Sequence, residues 1–521
     1  MDSETWILPR GGRYRLLGWA IVLALAFRLY LLWQYYCISS DGVHYIDAAR
    51  DFFAGRLAVG LSSVYPPVYP ILIASIYPLI GDWELSGQIW SILSGVLLLI
   101  PLYVLFRRIY GENVALAACF LAAIAPYLGR YSVHVRTESP FLLLSTIALV
   151  LFDQGMARRL WGRFFYGGLV AGLAYLVRPE AIGFLVVVPL TLGVRCWIQK
   201  NRGLRWSAGA CLFLLLGFFL LTFPYIFYLS VDTGQWGTIS RKAGVTLGVS
   251  LTESGLIGNE ELTDISSLGS LDITQFATHH PFLYMKKVLL DLIPSVGVYL
   301  EALHYSYIPF LFVGLFLFIR QRFWQREDLF LFVFLLFYLV GFALVYVNRR
   351  YAVQLLPVSL GWTAWGMIWC WAYLKEFLSL RAFRVVSSAL AALFLAGTLL
   401  KGLKPISSEK AYVREAGWYL KEIKGSGNLN LLVFDDRIAF YANARPILLS
   451  ELGEQELLGY LEDGEADYLV TEVGSWKERF PAVADDPELY GLVLQREFRG
   501  SVRSGLVVFR VNQRGRDGHA G

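Results

Sequence analysis

Charged side chains are scarce in this chain of 521 residues, since Asp, Glu, Lys and Arg together make up only 17% of it. Soluble domains carry about 25%. Apolar and aromatic residues take their place: 56% of the chain is Ala, Val, Ile, Leu, Met, Phe, Trp, Tyr or Cys, and the mean hydropathy is +0.52. This composition excludes a soluble globular enzyme, a disordered chain and a collagen. The excess apolar residues must face lipid, so we predict a polytopic α-helical membrane protein.

Cysteine is sparse, and the common catalytic motifs are missing. The 5 Cys residues have no spacing typical of a zinc site or a disulfide framework. The sequence also has no Walker loop, no Gly-rich dinucleotide fingerprint, no zinc-protease motif and no nucleophile-elbow motif. A nucleotide-binding fold is therefore not expected. A group-transfer reaction would need a donor that a membrane helix bundle can hold.

Apolar runs of roughly 20 residues, the length that crosses a membrane, recur along most of the chain. The first run follows a basic stretch and has no signal-peptide cleavage site, so it is predicted to be an anchor. We predict about 11 transmembrane helices from the alternation of apolar runs and basic turns. They lie at 16–36, 86–106, 114–128, 139–156, 164–177, 180–196, 208–229, 304–320, 329–347, 352–373 and 385–402.

The turns on one side of these spans are basic. They all lie on the side of the N-terminus: 107–113, 157–163, 195–206, 320–328 and 375–384. Cytoplasmic loops collect Lys and Arg, so the N-terminus is predicted to be cytoplasmic. We therefore expect a multi-pass protein of the cytoplasmic (inner) membrane. Its outer loops 37–85 and 230–303 and its C-terminal domain would face the periplasmic or extracytoplasmic side.

The last part of the chain has a different pattern. Residues 406–521 contain acidic clusters, glycine turns and short apolar runs. The segment AGWYLKEIK has a helical pattern, whereas NLLVFDD, DYLVTEV and GLVVFRV have strand patterns. We predict a transmembrane domain over 1–405 and a small soluble α/β domain over 406–521.

Polar residues follow the first span directly. Asp41 and His44 stand where the chain leaves the lipid, in the segment SSDGVHYIDAAR. A carboxylate at the mouth of a helix bundle can accept a proton or orient a hydroxyl group. Ser39, Ser40 and Asp41 are also good N-cap residues, so a capping role is the alternative for Asp41.

A second acidic turn, RYSVHVRTESPFLLL, contains His134, Arg136 and Glu138. Glu138 opens the next helix, where a carboxylate also stabilises the helix dipole, and this is the alternative to a catalytic role. Adjacent spans bring this turn near the first outer loop. Asp41 and Glu138 are therefore expected to face one cleft.

Three arginines lie on the predicted outer side, against the usual distribution of basic residues: Arg178, Arg349 and Arg350. Arginine binds phosphate through paired hydrogen bonds and stays charged, which suits a phosphate site. Each could instead contact lipid headgroups. Tyr65, in the rigid segment YPPVYP, offers a hydroxyl to a sugar or a headgroup.

Six motifs carry a resemblance to a known superfamily. They are the acidic residue after the first span, Pro66-Pro67, Trp83-Glu84-Leu85, Arg107-Arg108-x-x-Gly111, the acidic turn after the third span, and Arg350-Tyr351 with Leu356-Pro357. With them, residues 16–405 resemble the GT-C superfamily of membrane glycosyltransferases. The similar branches are the protein O-mannosyltransferases and the aminoarabinose transferases that act on lipid A.

The resemblance implies an inverting glycosyltransferase that uses a polyprenyl-phosphate-linked sugar donor and a lipid, glycan or protein acceptor of the cell envelope. Asp41 matches the catalytic carboxylate and would act as general base, and Glu138 matches a second catalytic acidic position. Fixed cations would stabilise the leaving phosphate. The substrate-binding residues expected from this reading are His44, Tyr65, Arg136, Arg178, Arg349, Arg350 and Tyr351.

Two positions depart from the superfamily pattern. Gly42 follows Asp41 where a second acidic residue is usual, so we expect no metal or other cofactor; a divalent metal near His44 and Glu138 is the alternative. Tyr65 replaces a Lys that often precedes the Pro-Pro, so a phosphate contact is expected from the outer arginines.

Two other classes of protein compete with the enzyme. A transporter or flippase of lipid-linked saccharides usually carries several charges within its spans, and Arg28 is the only obvious one here. A non-catalytic envelope scaffold is the other alternative. The concentration of charged residues on one face favours the enzyme over the transporter.

Overall fold

The structure is a computed structural model that describes residues 10–198, 203–253, 273–321, 326–425, 427–472, 475–500 and 505–512. The chain divides into two compact units. The first consists of Met1–Leu31 and Ala48–Lys404, and the second of Leu32–Asp47 and Pro405–Gly521. The second unit thus includes a segment before Ala48 that the sequence pattern alone assigns to the transmembrane domain. Parts of the predicted turns 195–206 and 320–328 and of the outer loop 230–303 lie outside the described residues.

The described residues up to Lys404 form helices and turns, as the long apolar runs predict. The α-helices are Arg10–Trp33, Ser40–Phe53, Leu57–Leu61, Val68–Ile80, Trp83–Leu97, Leu99–Tyr110, Glu112–Ile124, Pro126–Tyr131, Glu138–Arg158, Trp161–Tyr175, Phe184–Ile198, Leu204–Thr233, Arg241–Glu253, Ile273–His279, Pro281–Leu303, Ile308–Arg320, Leu329–Leu344, Arg349–Ala352, Leu356–Phe377 and Leu380–Gly402. Short 3₁₀ helices occupy Pro179–Gly183 and Val353–Leu355.

Every predicted span overlaps one of these helices. In the described part of the chain, 6 helices are long and apolar enough to cross a membrane, or 7 if a bent pair counts as one span. The bent pair is Pro281–Leu303 with Ile308–Arg320, whose axes are bent by 115° at the break between them. The membrane-protein fold is therefore confirmed, while the number of spans stays a prediction.

Glycines allow two of these helices to pack backbone against backbone. Gly168 lies in helix Trp161–Tyr175 and Gly217 in helix Leu204–Thr233. A Cβ atom on Gly217 would collide with the backbone oxygen of Phe165, and one on Gly168 with that of Leu214. Membrane helices associate closely where small residues line the interface, because lipid offers no hydrophobic driving force for their association.

This packing predicts that Gly217→Ala destabilises the first unit. Inserting a methyl group against a backbone oxygen forces the helices apart, at a cost of about 1–3 kcal/mol. Gly193→Ala is the matched control, because a Cβ there meets nothing within 4 Å. Thermal unfolding in detergent, monitored by size-exclusion chromatography, should give a lower melting temperature for Gly217→Ala but not for Gly193→Ala. Equal melting of the two variants would contradict the packing.

The C-terminal unit contains a five-stranded sheet in the order β2-β1-β3-β5-β4. The strands are β1 Asn430–Val433, β2 Arg445–Leu448, β3 Tyr468–Glu472, β4 Leu492–Arg499 and β5 Gly505–Val511. β1 pairs in parallel with β2 and β3, and β5 pairs antiparallel with β3 and β4. The α-helices are Ala411–Lys424, Asp436–Ala442, Glu454–Glu462, Ser475–Arg479 and Pro481–Asp485, with 3₁₀ turns at Ser408–Lys410 and Pro487–Tyr490.

The predicted small α/β arrangement is confirmed by this sheet, including the three predicted strands β1, β3 and β5. Strands β2 and β4 were not predicted from the sequence. β2 is short and carries Pro446, a residue that only an edge strand tolerates. β4 is mostly exposed, and its short apolar start, Leu-Val-Leu, is followed by polar residues, so its sequence does not resemble that of a buried strand.

Candidate active site

Asp41 lies in the first turn of helix Ser40–Phe53 and is partly buried. The hydroxyl oxygen of Ser39 accepts a hydrogen bond from the amide of Gly42 at 3.2 Å. Ser39 therefore occupies the N-cap position that the sequence leaves open among three candidates. A capping role is not needed to explain the carboxylate of Asp41.

His44 lies one turn further along the same helix and is half exposed. Its Nε2 atom lies 3.6 Å from Oδ2 of Asp436, and the hydroxyl of Ser40 donates to the same oxygen at 3.4 Å. Burial raises the pKa of Asp436; Asp435 acts in the same direction, and His44 opposes both. Asp436 is thus a carboxylate beside His44 that sequence reasoning missed.

Glu138 is the first residue of helix Glu138–Arg158 and only 2% exposed. Its Oε1 atom accepts a hydrogen bond from Nε of Arg350, and Nη1 of Arg178 lies 3.2 Å from the same oxygen. One buried carboxylate oxygen therefore holds two arginines that are distant in sequence. Arg178 itself is 8% exposed.

Arg178 has further partners on its other sides. Its Nε and Nη2 atoms donate to Oε1 of Glu180 at 3.2 and 2.7 Å. Its guanidinium lies 5.1 Å from the ring centre of Tyr351 and 5.8 Å from that of Phe141, which are cation–π contacts. The hydroxyl of Tyr338 donates to the backbone oxygen of Glu180 at 2.7 Å and fixes that residue. The arginine is held in one orientation.

Arg349, the neighbour of Arg350, points to other partners. Its Nη1 atom donates to the hydroxyl of Tyr127 at 3.0 Å and to Oε1 of Glu301. The side chains of Arg349 and Glu301 are 40% and 55% exposed, so this pair is accessible to solvent. Arg349 therefore does not belong to the Glu138 cluster, which we define as Glu138, Arg178, Arg350 and Tyr351.

The turn before Glu138 adds one more cation. Arg136 is partly buried, and its guanidinium lies 5.8 Å from the ring centre of Tyr131. Burial lowers the pKa of His134, and the charge of Arg136 lowers it further, so this imidazole stays neutral. The backbone oxygen of Arg136 accepts a hydrogen bond from Ser91 at 3.1 Å, which anchors the turn to helix Trp83–Leu97.

Tyr65 lies in the loop before helix Val68–Ile80 and is partly buried. Its amide donates to the hydroxyl of Ser63 at 3.2 Å. Tyr69, in the same proline-rich segment, is fully buried and donates to the backbone oxygen of Gly87 at 3.0 Å. The segment is therefore fixed in place, but these contacts do not join Tyr65 to the Glu138 cluster.

The sequence-predicted residues fall into groups. Glu138, Arg178, Arg350 and Tyr351 come together in the first unit, and Arg136 precedes this cluster in the chain. Asp41 and His44 belong to the second unit. The prediction that Asp41 and Glu138 face one cleft stays a prediction.

Three acidic partners were not predicted: Glu180, Glu301 and Asp436. Glu180 stands two residues after Arg178, so the local sequence RPE contains a signal for this pair. Asp435-Asp436 follow a predicted strand, at the carboxyl edge of the parallel part of the sheet, which is where α/β domains place polar residues. Glu301 is 48 residues from Arg349 and has no such signal.

A metal site was the alternative near His44 and Glu138. Among the described residues there is no group of three or more His, Cys, Asp or Glu side chains that could hold a metal ion. That the protein needs no metal therefore stays a prediction, to be tested with a chelator.

Comparison with known proteins gives one family model. The model of the dolichyl-phosphate-mannose-protein mannosyltransferases matches residues 64–239, about a third of the chain. This stretch includes Glu138 and Arg178. No curated protein is similar enough in sequence to count as a match.

Solved structures match over nearly the whole chain. ArnT from Cupriavidus metallidurans bound to undecaprenyl phosphate has a TM-score of 0.58 at 15% identity, covering 96% of this chain and 98% of that one. The oligosaccharyltransferase of Archaeoglobus fulgidus in the apo form has a TM-score of 0.57 at 12% identity, covering 98% and 75%. The archaeal oligosaccharyltransferase AglB from Archaeoglobus fulgidus, in complex with an inhibitory peptide and a dolichol-phosphate, has 0.54 at 13%, covering 96% and 74%.

These matches confirm the predicted resemblance to the GT-C superfamily of membrane glycosyltransferases. At this level of identity the solved structures establish the fold, and the chain has the GT-C fold. The matched solved structures cover 96–98% of this chain, so the match includes both the helical unit and the C-terminal sheet.

Proposed function

We propose that this protein is an inverting glycosyltransferase that moves a sugar from a polyprenyl-phosphate-linked donor to an envelope acceptor at the outer face of the cytoplasmic membrane. The observation that carries the proposal is the pair of arginines, Arg178 and Arg350, fixed on the buried carboxylate of Glu138 within a GT-C fold. The relatives support the donor class, because ArnT is bound to undecaprenyl phosphate and AglB to a dolichol-phosphate.

The arginine pair suits a leaving phosphate. Arginine stays charged and offers several N–H groups in a fixed plane, so it can bind phosphate oxygens in pairs. Glu138 contacts both guanidiniums, and Glu180 also accepts from Nε and Nη2 of Arg178, so these two carboxylates set the direction of the N–H groups that remain for a phosphate. As the bond to the sugar breaks, charge grows on the phosphate, and cations already in place stabilise it without reorganisation. In this proposal Glu138 positions the arginines.

Asp41 is the proposed general base. Its carboxylate takes the proton of an acceptor hydroxyl while that oxygen forms a bond to the anomeric carbon, on the face opposite the phosphate. The bond between that carbon and the phosphate oxygen breaks, and the polyprenyl phosphate leaves with the electron pair. A general base contributes about 10²–10⁴-fold to such a step.

The decisive experiment presents purified protein with a panel of undecaprenyl phosphates, each carrying a single hexose or pentose, together with lipid, glycan and protein fractions of an envelope. Release of undecaprenyl phosphate and appearance of the sugar on an acceptor, with inverted anomeric configuration, are followed by mass spectrometry and NMR. A flippase would move the donor without releasing undecaprenyl phosphate, and a scaffold would leave it unchanged. Either result would refute the proposal.

Arg350→Ala should lower donor use, expressed as kcat/KM, by about 10- to 100-fold, because a hydrogen bond to a charged group is worth about 1.5–3 kcal/mol. Arg350→Lys should recover little, since an ammonium cannot form the paired contact. Arg56→Ala is the control, because Arg56 is an exposed arginine that pairs with Asp51. Normal donor use by Arg350→Ala would remove Arg350 from the phosphate site.

The outer-face location has its own test. A reporter that is active only outside the cytoplasm should work when fused after residue 521 and be silent when inserted within 195–206, because Lys and Arg collect in cytoplasmic turns. The reverse pattern would place the proposed site on the cytoplasmic side and contradict the use of an outer-face donor.

A further inference from the structure

The chain around Asp41 is hydrogen-bonded to the start of the C-terminal domain. The amide of Tyr36 donates to the backbone oxygen of Ile406 at 3.1 Å, and the amide of Ile406 donates to the backbone oxygen of Gln34 at 2.9 Å. These bonds form a parallel bridge between Tyr35 and Ile406. The chain leaving the first span is thus tied, at its first extended residues, to the segment that leads into the α/β domain.

A tyrosine of the α/β domain holds the next part of this chain. The amide of Ile38 donates to the hydroxyl oxygen of Tyr441 at 2.7 Å, and both residues are buried. Arg414 donates to the same hydroxyl at 3.5 Å and to the backbone oxygen of Tyr35 at 3.4 Å. Its guanidinium also lies 5.2 Å from the Tyr441 ring centre. Tyr441 therefore fixes the backbone three residues before Asp41.

An aspartate of the same domain contacts residues that lie before and after Asp41 in the sequence. Oδ2 of Asp436 accepts from the hydroxyl of Ser40 at 3.4 Å and lies 3.6 Å from Nε2 of His44. The side chain of Asp436 is only 12% exposed, so solvent screens these contacts weakly. Residues one before and three after Asp41 thus meet one carboxylate.

Tyr441 and Asp436 are themselves fixed by the sheet. Both lie on helix Asp436–Ala442, which follows strand β1 and begins where Asp435 accepts from the amide of Arg437 at 3.1 Å. Gly417 of helix Ala411–Lys424 packs against this helix, and a Cβ there would lie 2.5 Å from Cβ of Tyr441. The helix has little freedom to move relative to its own domain.

We propose that the C-terminal α/β domain serves the transfer reaction by holding Asp41 in place, with Tyr441 and Asp436 as positioning residues. The proposal rests on the proposed role of Asp41 as general base. Residues 36–39 have no regular secondary structure of their own, so the position of the helix start depends on outside contacts. A general base must reach its proton at hydrogen-bond distance, and a displacement of about 1 Å costs on the order of 10²-fold in rate.

Hydrogen exchange tests the attachment without any substrate. In full-length protein in detergent, Tyr441→Phe should speed exchange in the peptide spanning residues 35–45 by about 2- to 10-fold, because one hydrogen bond contributes about 0.5–1.5 kcal/mol. Tyr490→Phe is the control, since Tyr490 packs against the hydrophobic core of the same domain. Unchanged exchange in Tyr441→Phe would overturn the attachment.

Kinetics test the consequence for catalysis, using the undecaprenyl-phosphate-linked sugar that the donor panel identifies. Tyr441→Phe and Asp436→Asn should each lower kcat by about 10- to 100-fold and change KM for the donor by less than about 2-fold. Asp485→Asn, an exposed carboxylate of the same domain, should behave as wild type. If Tyr441→Phe has a lower melting temperature than the wild type, the kinetics of Asp436→Asn test the proposal instead, because Asn preserves the shape of the Asp436 side chain.

A double-mutant cycle separates positioning from an independent role. In an Asp41→Asn background, adding Asp436→Asn should lower the rate by less than a further factor of about 2. Once the general base has been removed, displacing its backbone has no additional effect on the rate. Full multiplication of the two effects would overturn the proposal. If Asp41→Asn alone keeps normal transfer, the proposed function of Asp41 fails. If Asp41→Asn is inactive while Asp436→Asn and Tyr441→Phe behave as wild type, only the positioning role fails.

Discussion

Asp41→Asn is expected to lower sugar transfer by about 10²- to 10⁴-fold, the usual contribution of a general base, while the protein folds and melts like the wild type. Asn has nearly the shape of Asp and caps helices nearly as well, but it cannot accept the proton of the acceptor hydroxyl. The helix start should survive because Ser39 provides the cap. Loss of activity without loss of stability is therefore the signature of a catalytic carboxylate.

The measurement is a side-by-side assay of undecaprenyl-phosphate release and thermal melting. Asp47→Asn is the control, because Asp47 is an exposed carboxylate on the same helix, two turns from its start. Asp41→Asn should leave KM for the donor nearly unchanged, since the proposed phosphate contacts come from the arginines. Near-normal transfer by Asp41→Asn would show that the base is another carboxylate. A loss in Asp47→Asn alone would identify Asp47 as that residue.

Much of the fold was predictable because lipid imposes a simple requirement on the sequence. Helices such as Glu138–Arg158 and Leu204–Thr233 carry apolar runs long enough to be recognised by length alone. In the C-terminal unit, β1 was predictable because three of its four residues are buried and apolar. β2 was not, because its burial depends on pairing with β1 and its own sequence, Arg-Pro-Ile-Leu, has no clear period.

The candidate site was predictable as a set of residues but not as a set of contacts. Glu138 and Arg350 are 212 residues apart, and local patterns contain no information about a pair at that separation. Arg349 and Arg350 look equivalent in the sequence, yet neighbouring side chains on a helix point about 100° apart. One therefore meets Glu301 and the other Glu138. The grouping of Leu32–Asp47 with the C-terminal domain is long-range in the same way.

Glu138→Gln is expected to destabilise the first unit by about 3–5 kcal/mol, the usual cost of removing one partner of a buried ion pair. The variant keeps the shape of the side chain but leaves the cations of Arg178 and Arg350 facing one another without the charge between them. Arg178 is only 8% exposed, so water can compensate little, and Glu180 is the carboxylate partner it keeps. Transfer should fall as well, because the arginines lose the group that sets their direction.

Glu301→Gln is the matched control for this loss. It removes the carboxylate of another Glu–Arg pair, but that pair is about half exposed, and surface ion pairs contribute about 0–1 kcal/mol. Thermal melting in detergent should therefore separate the two variants clearly. Equal melting temperatures of Glu138→Gln and wild type would show that the ion pairs of Glu138 do not hold helix Glu138–Arg158, helix Arg349–Ala352 and the segment with Arg178 together.

The double variant Glu138→Gln with Arg178→Gln separates stability from function. It removes one negative and one positive charge, so Arg350 and Glu180 remain and the cluster stays neutral. Part of the lost stability should return, because repulsion between the two arginines is gone. Transfer should stay low, because one of the two proposed phosphate contacts is missing. Recovery of stability and transfer together would mean that Arg178 serves only to neutralise Glu138, and Arg350 would then be the sole arginine of the pair left for the phosphate.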